Sequence, residues 1–215
     1  MKKLLMLYVL LTTVTLQSQN YTFNLVTKYN VITEQFNTEV MSYTNTENDS
    51  YYLRIRKSDN ELSAALYDFE NVKRHDFNIK SNIVNGEIMF DFEYLMTSNI
   101  INFHKKNYSK YVYDFTTVSK NDSLEQISLK IYPNAKKKKP LDTFTFEVQE
   151  LSENLFPAFR INCLHPYEFL TALNRFKNGI VVRGSGINPK GNPIHYELKE
   201  WKLMQFYLLV PKSKG

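Results

Sequence analysis

The chain has 215 residues, 43% of them apolar and 14% aromatic, with 27 Lys and Arg against 22 Asp and Glu and a net charge of +5. That is enough chain for one well-buried core, and the charge is too mild to specify nucleic acid as a partner. Cys163 is the single cysteine, which excludes an internal disulfide framework, so apolar burial has to hold the fold.

The first residues set the compartment. Lys2 and Lys3 precede an unbroken apolar stretch from Leu4 to Leu11, which tapers through Leu16 into the polar Gln17-Ser18-Gln19-Asn20. This layout predicts a secretory signal peptide over residues 1–18 and a single β-rich domain over 19–215. The run is shorter than the roughly 20 apolar residues of a membrane span, so no transmembrane segment is expected in the mature chain. No cysteine follows the apolar stretch to carry a lipid, so a secreted or periplasmic protein is expected rather than a lipoprotein. Removing Lys2 and Lys3 with the leader takes 27 basic residues to 25 against 22 acidic, a net charge of +3. Asn-x-Ser/Thr sequons at Asn20, Asn48, Asn107 and Asn121 read as products of an Asn-, Ser- and Thr-rich surface.

Alternation then dominates. Tyr21, Phe23, Leu25, Tyr29 and Val31 fall on one face of a strand, with Thr22, Asn24, Lys28 and Asn30 on the other. A second strand is expected from about 35 to 43, and "NTENDS" turns the chain. Tyr51, Leu53 and Ile55 alternate with Tyr52, Arg54 and Arg56; residues 62–69 return. A short extended piece over 76–80 precedes a turn at Gly86. Then Ile88, Phe90, Phe92 and Tyr94 alternate with Glu87, Met89, Asp91 and Glu93. Residues 95–108 carry no clear pattern. Strands follow over 110–118, 124–132 and 141–150.

Between the last two lies "PNAKKKKP". Prolines bound the run and clean strands flank it, so Lys136, Lys137, Lys138 and Lys139 belong at the tip of a hairpin, where like charges extend into water and discourage edge pairing. The same tip is a candidate contact for an anionic envelope polymer or surface. One segment breaks the alternation: in "HPYEFLTALNRFKNG" Phe169, Leu170, Leu173 and Phe176 stand at helical spacing, Pro166 suits a first turn and Gly179 a stop, which predicts a helix near 166–177. "IVVRG" is a short strand, "GSGINPKGNP" a turn-rich loop, and residues 194–211 one long strand or a bent pair.

About ten strands joined by short turns imply antiparallel pairing, and a sheet of that size curls to hide its edges. The expected fold is mainly β: a single curved antiparallel sheet, a half-barrel or open barrel, with the helix on its concave side or across one end. A β-sandwich is the alternative.

The leader ending "LQSQN", with "YTFNLVTKYNV", "NDSYYLRIRK" and "ALYDFENVKRHDF", resembles secreted β-rich proteins of unknown function from Bacteroidota. The resemblance implies export and brings no catalytic residues with it. At the level of fold, a half-barrel with one helix is similar to the carriers that sort lipoproteins to the outer membrane.

Candidate chemistry is sparse. His75 and Asp76 are adjacent on a strand and point apart. Asp91 and Glu93 share a face at a spacing that would suit glycoside hydrolysis, a spacing that solvated strands also show. Cys163 and His165 lack an oxyanion-hole pattern. His75, His104, His165 and His195 are scattered, so no metal is indicated, and Gly184-Ser185-Gly186 lacks the pattern of a phosphate cradle. No catalytic residue and no cofactor are assigned. With 15 Tyr and 15 Phe but one Trp, the aromatics either fill a thick core or line a groove. The groove candidates are Tyr51, Tyr111, Tyr113, Phe90, Phe92, Phe169, Phe176 and Trp201. The expected function is non-enzymatic binding of a lipid, another amphiphile or a partner segment on the concave face. An envelope interaction module built on the lysine tip is the alternative, and a hydrolase ranks last.

Overall fold

The computed structural model describes residues 18–211 except 59–60, 85–86, 101–109, 122, 137, 169, 171–172, 174–177 and 188–190. Eleven strands form one antiparallel sheet: β1 (Ser18–Thr33), β2 (Asn37–Thr44), β3 (Tyr51–Ser58), β4 (Glu61–Asp68), β5 (Lys73–Val84), β6 (Glu87–Asn99), β7 (Val112–Lys120), β8 (Leu124–Tyr132), β9 (Asp142–Gln149), β10 (Ile180–Ile187) and β11 (Pro193–Pro211). Their order across the sheet is β6-β5-β4-β3-β2-β1-β11-β10-β9-β8-β7. The first and last strands therefore pair at the centre, from Ser18 opposite Pro211 to Thr33 opposite Ile194. Two meanders step outward from that pair. One sheet holds every strand of the described residues, so the sandwich alternative falls away.

The two halves bury opposite faces. In β1–β6 and the C-terminal part of β11, the register puts Val26, Tyr43, Leu53, Leu66, Phe77 and Phe92 on one side, packed together with Tyr21, Phe23 and Phe206. In the other half Tyr29, Leu129, Phe146 and Tyr196 pack against a helix on the opposite side. The face expected to carry Tyr21, Phe23, Leu25, Tyr29 and Val31 together is thus split. Tyr21 and Phe23 face the first core, Tyr29 and Val31 the second, and the register of β1 against β11 shifts between Phe23 and Leu25, where burial changes sides. Strict alternation cannot show an irregularity of this kind.

Each half rolls up around its own core. Phe92 of β6 and Phe206 of β11 lie six strand positions apart, about 29 Å across a flat sheet. Their ring centres are 5.3 Å apart. On the other side Phe115 of β7 and Tyr29 of β1 meet rings of the same helix, Phe156 at 5.9 Å and Phe159 at 5.4 Å.

That helix, α1 (Phe156–Cys163), is the α-helix of the described residues and lies ten residues before the expected one. Seven of its eight residues are buried, so it has no polar face for periodicity to reveal, and Pro157 sits at its start, where proline is tolerated. Most of the expected helix, residues 169, 171–172 and 174–177, lies outside the described residues, and those described within 166–177 make turns. Tyr167 N donates to Leu164 O, Leu170 N to Tyr167 O and Leu173 N to Leu170 O, a succession of i→i+3 bonds that sends Tyr167, Leu170 and Leu173 into the core. Spacings of 3 and 3.6 are hard to separate over a dozen residues.

Polar groups tie α1 to the first half. Asn162 donates to Thr27 at 2.9 Å and accepts from Ser42. Arg54 donates to Ile161 O at 2.8 Å, and the fully buried Arg160 pairs with Asp49. Burial lowers the Arg160 pKa to about 10 while Asp49 and Glu168 oppose that shift. The remaining corrections are local. Leu95–Asn99 extend β6, residues 73–75 and 81–84 extend β5, and Gly184-Ser185-Gly186 belong to β10 rather than a loop, while residues 194–211 form the single long strand of the two expected alternatives. At Gly184 the missing side chain leaves room for Phe146, Phe159 and Tyr196.

Candidate functional site

The first half does not close. The chain from β11 through β1 to β6 makes six antiparallel steps and brings β6 back toward β11, yet no ladder joins the two. β10 pairs with β11 only over Pro193–Glu197. Among the described residues, the outer edge of β6 and the edge of β11 beyond Glu197 therefore face each other as unpaired strand edges. We call the space between them the mouth.

The roll behind the mouth is filled by its own side chains. Phe206 lies 5.5 Å from Phe23, 5.3 Å from Tyr43 and 5.3 Å from Phe92 between ring centres, and Phe77 packs edge-on to Phe92 and Tyr94 at 6.2 and 5.9 Å. Half-buried Phe90, Phe92, Tyr94, Met204 and Phe206 form the inner lip. The outer lip exposes Met89, Leu95 and Met96 on β6 and Leu203, Tyr207 and Leu209 on β11, each between 50 and 62% exposed. Apolar side chains thus flank one gap on both of its sides, inside and out.

One end of the roll is sealed by a buried polar chain. Tyr21 donates to Asp68 at 2.6 Å, and its oxygen lies 3.4 Å from Nε2 of His75. The other nitrogen of His75 is 2.7 Å from the Thr97 hydroxyl, which is 2.8 Å from the Tyr94 hydroxyl. Asp68 also accepts from Asn71 and Gln19. Burial lowers the His75 pKa and, with Asp68 beside it, pushes the Tyr21 hydroxyl well above the ordinary range. Both groups are therefore neutral near pH 7, and their bonds are consumed within the chain: this is a plug, held by hydrogen bonds across β1, β4, β5 and β6.

A polar hollow of about 290 Å³ lies on the outer face of the other half. Cross-strand rows build it: Gln126, Glu147, Arg183 and Glu197 in one, Thr145, Ser185 and His195 in the next. Arg183 pairs with Glu147 at 3.1 Å and Glu197 with Lys199 at 2.7 Å, the latter holding the Glu197 carboxyl below its usual range. Its charges neutralise one another on an open strand face.

The sequence-derived candidates fall in separate places. Tyr51, Phe90 and Phe92 belong to the first core, Tyr111 and Tyr113 on and beside β7 to the second, and Trp201 to a small cluster with Leu25 and Ile180 between them. Phe169 and Phe176 lie outside the described residues. Lys136, Lys138 and Lys139 are exposed in the connection between β8 and β9, with Lys137 outside the described residues. His75 turns to Tyr21 and Thr97 while Asp76 pairs with Arg74. Cys163 is buried, and burial raises its pKa, whereas His165 is exposed and pairs with Glu168 at 2.9 Å, so the two do not meet. Asp91 and Glu93 stand on the outer lip of the mouth, where Asn82 donates to Asp91 at 2.6 Å. Among the described residues no group of three or more His, Cys, Asp or Glu could hold a metal ion, and no helix is long and apolar enough to cross a membrane.

The mouth escaped the sequence because it depends on which strands become edges. A usable signal was present: "EIMFDFEYLMTSN" has no Lys, Arg or Pro, the residues that normally blunt an edge strand. No protein-family model matches the chain, and no curated protein matches it at a significant level.

Proposed function

We propose that the protein is exported and acts as a binding protein without catalytic chemistry, holding an apolar or amphiphilic guest at the mouth of its rolled sheet. The supporting observation is the mouth itself: two unpaired strand edges, one gap, and apolar side chains on both lips. Isolated exposed apolar residues are ordinary, but a contiguous set along facing edges marks a binding surface. Because rings already fill the roll, the guest lies in the gap rather than deep inside. Export rests on the leader of residues 1–18.

Native mass spectrometry of protein prepared from a bacterial periplasm, with titration of a lipophilic fluorescent dye, tests this. A retained adduct or saturable dye binding is expected, and the surface variant Met89→Lys/Leu209→Lys should weaken dye binding at least several-fold without loss of fold. A clean apo mass with no dye binding would end the proposal. The lysine tip supports a second reading, contact with an anionic envelope polymer, because Lys136, Lys138 and Lys139 stand exposed with no acid between Pro133 and Pro140.

A further inference from the structure

We infer that the guest is one extended strand of a partner polypeptide, inserted between β6 and β11 and antiparallel to both, which closes the roll into an eight-stranded barrel. This deepens the proposed function and rests on the mouth being its binding site. Strand direction is the first reason. Each step from β11 to β6 is antiparallel, and six steps leave β6 and β11 running the same way. Direct closure would create a parallel pair in an otherwise antiparallel sheet, whereas one strand antiparallel to both edges satisfies each of them. Eight strands also enclose an interior that side chains just fill, which is the state of this roll.

Width is the second reason. With the Phe92 and Phe206 ring centres 5.3 Å apart, and a phenylalanine ring centre about 4 Å from its own Cα, the two backbones are separated by at most about 13 Å at that level. An inserted strand needs two strand spacings, about 9.5 Å, which lies between that limit and the single spacing of about 4.8 Å at which β6 and β11 would already have paired. A fatty chain or a globular loop has no use for two rows of unpaired N–H and C=O groups; a strand has.

The third reason is lip chemistry. The outer sides of the two edges carry Met89, Asp91, Glu93 and Leu95 on β6 and Leu203, Gln205, Tyr207 and Leu209 on β11, and counting one step from the Phe92–Phe206 contact sets Glu93 level with Tyr207. Inside, Tyr94 is level with Leu208, and Phe90 and Met204 lie on the other side of the contact. The outer row carries apolar ends and two acids, with no basic residue at those levels. Lys80, on the strand behind, faces Asp91, while Glu93 has Asn78 opposite it. The matching strand spans about nine residues, puts apolar side chains inward and sets Lys or Arg outward beside Glu93.

The test uses the mature chain and a synthetic nine-residue peptide of alternating valine and lysine, with two control peptides: the same sequence N-methylated at alternate residues, and glutamate in place of lysine. Fluorescence anisotropy reads affinity, and hydrogen–deuterium exchange reads the edges. Saturable binding is expected, with slowed exchange in both 89–99 and 198–211. The N-methylated peptide should fail to protect them and the glutamate peptide should bind more weakly. Asp91→Asn/Glu93→Gln, on the solvent side of β6, should weaken the lysine peptide roughly fivefold and leave the melting temperature in place. No protection by the peptide, protection of one edge alone, or equal protection by the N-methylated peptide would overturn the inference. Protection of the mouth by dodecyl micelles but not by peptide would overturn it while leaving the proposed function standing. Protection of both edges by self-association, seen as a concentration-dependent dimer without peptide, would assign the gap to a second copy and overturn it too.

Discussion

Replacing Gly186 with alanine probes how tightly the second core is packed against its own sheet. A Cβ at this position would stand 2.4 Å from Cδ1 and 2.8 Å from Cε1 of Phe144. Carbon atoms in contact prefer about 3.5–4 Å, so the ring must withdraw by about 1 Å. It has nowhere to go: Phe144 is 4% exposed and stacked on the fully buried Phe146, with ring centres 6.0 Å apart. Overpacking of this kind costs about 1–3 kcal/mol, offset by the 0.4–1 kcal/mol or so that alanine gains by restricting the unfolded chain. A net loss of about 1–2 kcal/mol is expected, read as a lower urea midpoint at unchanged slope. Gly184 is the internal comparison. Its Cβ would meet only side-chain atoms, at 3.2–3.3 Å, so Gly184→Ala should fall within about 0.5 kcal/mol of the parent. Phe144→Leu should relieve the clash, making Gly186→Ala cheaper by about 1 kcal/mol in the double variant than alone. An unchanged or raised midpoint for Gly186→Ala, or strict additivity with Phe144→Leu, would refute the reasoning.

His75 is 4% exposed with its pKa lowered by burial from 6.5, so the unfolded chain binds a proton that the folded chain refuses. Stability should therefore fall as pH drops below about 6.5, and His75→Gln should flatten that slope; melting temperatures across the range decide it. Asn162→Ala strands the buried hydroxyls of Thr27 and Ser42 and should cost about 2–3 kcal/mol in chemical denaturation. Replacing Lys136, Lys138 and Lys139 with serine should leave stability within about 0.5 kcal/mol; if the tip meets anionic polymers, low-salt cosedimentation with anionic vesicles should drop several-fold. Intact-mass analysis of the exported product should place its first residue near Gln19, and a product that keeps residues 1–18 would refute the leader assignment.

Strands with one clean wet face were readable, because alternation at period 2 is a local property. β3, β7, β8 and β9 fall within two residues of their expected limits, and the lysine run sits in the connection its flanking strands imply. What was hidden depends on more than one element. α1 is buried all round, so its sequence has no polar stripe. The switch of core face along β1 arises from an irregularity against β11, a strand 160 residues further on. The mouth exists because β6 happens to be an edge, and only its lack of Lys, Arg and Pro hinted at it. His75 was read against its neighbour Asp76, while its true companions are Tyr21, Asp68 and Thr97 on other strands. Such groups come together through the register of several ladders, which no single stretch of chain encodes.

The pairing of β1 with β11 has a consequence for how the molecule comes into being. β1 finds its neighbour only when β11 is present, and each meander borders a central ladder that stays half empty until then. The longest ladder of the sheet thus joins strands far apart in sequence, and such a long-range closure slows folding. A nascent chain emerging from the ribosome would remain without its middle, and so threadable, until β11 has emerged; deleting the whole of Pro193–Pro211 should cut the sheet in two rather than trim its rim.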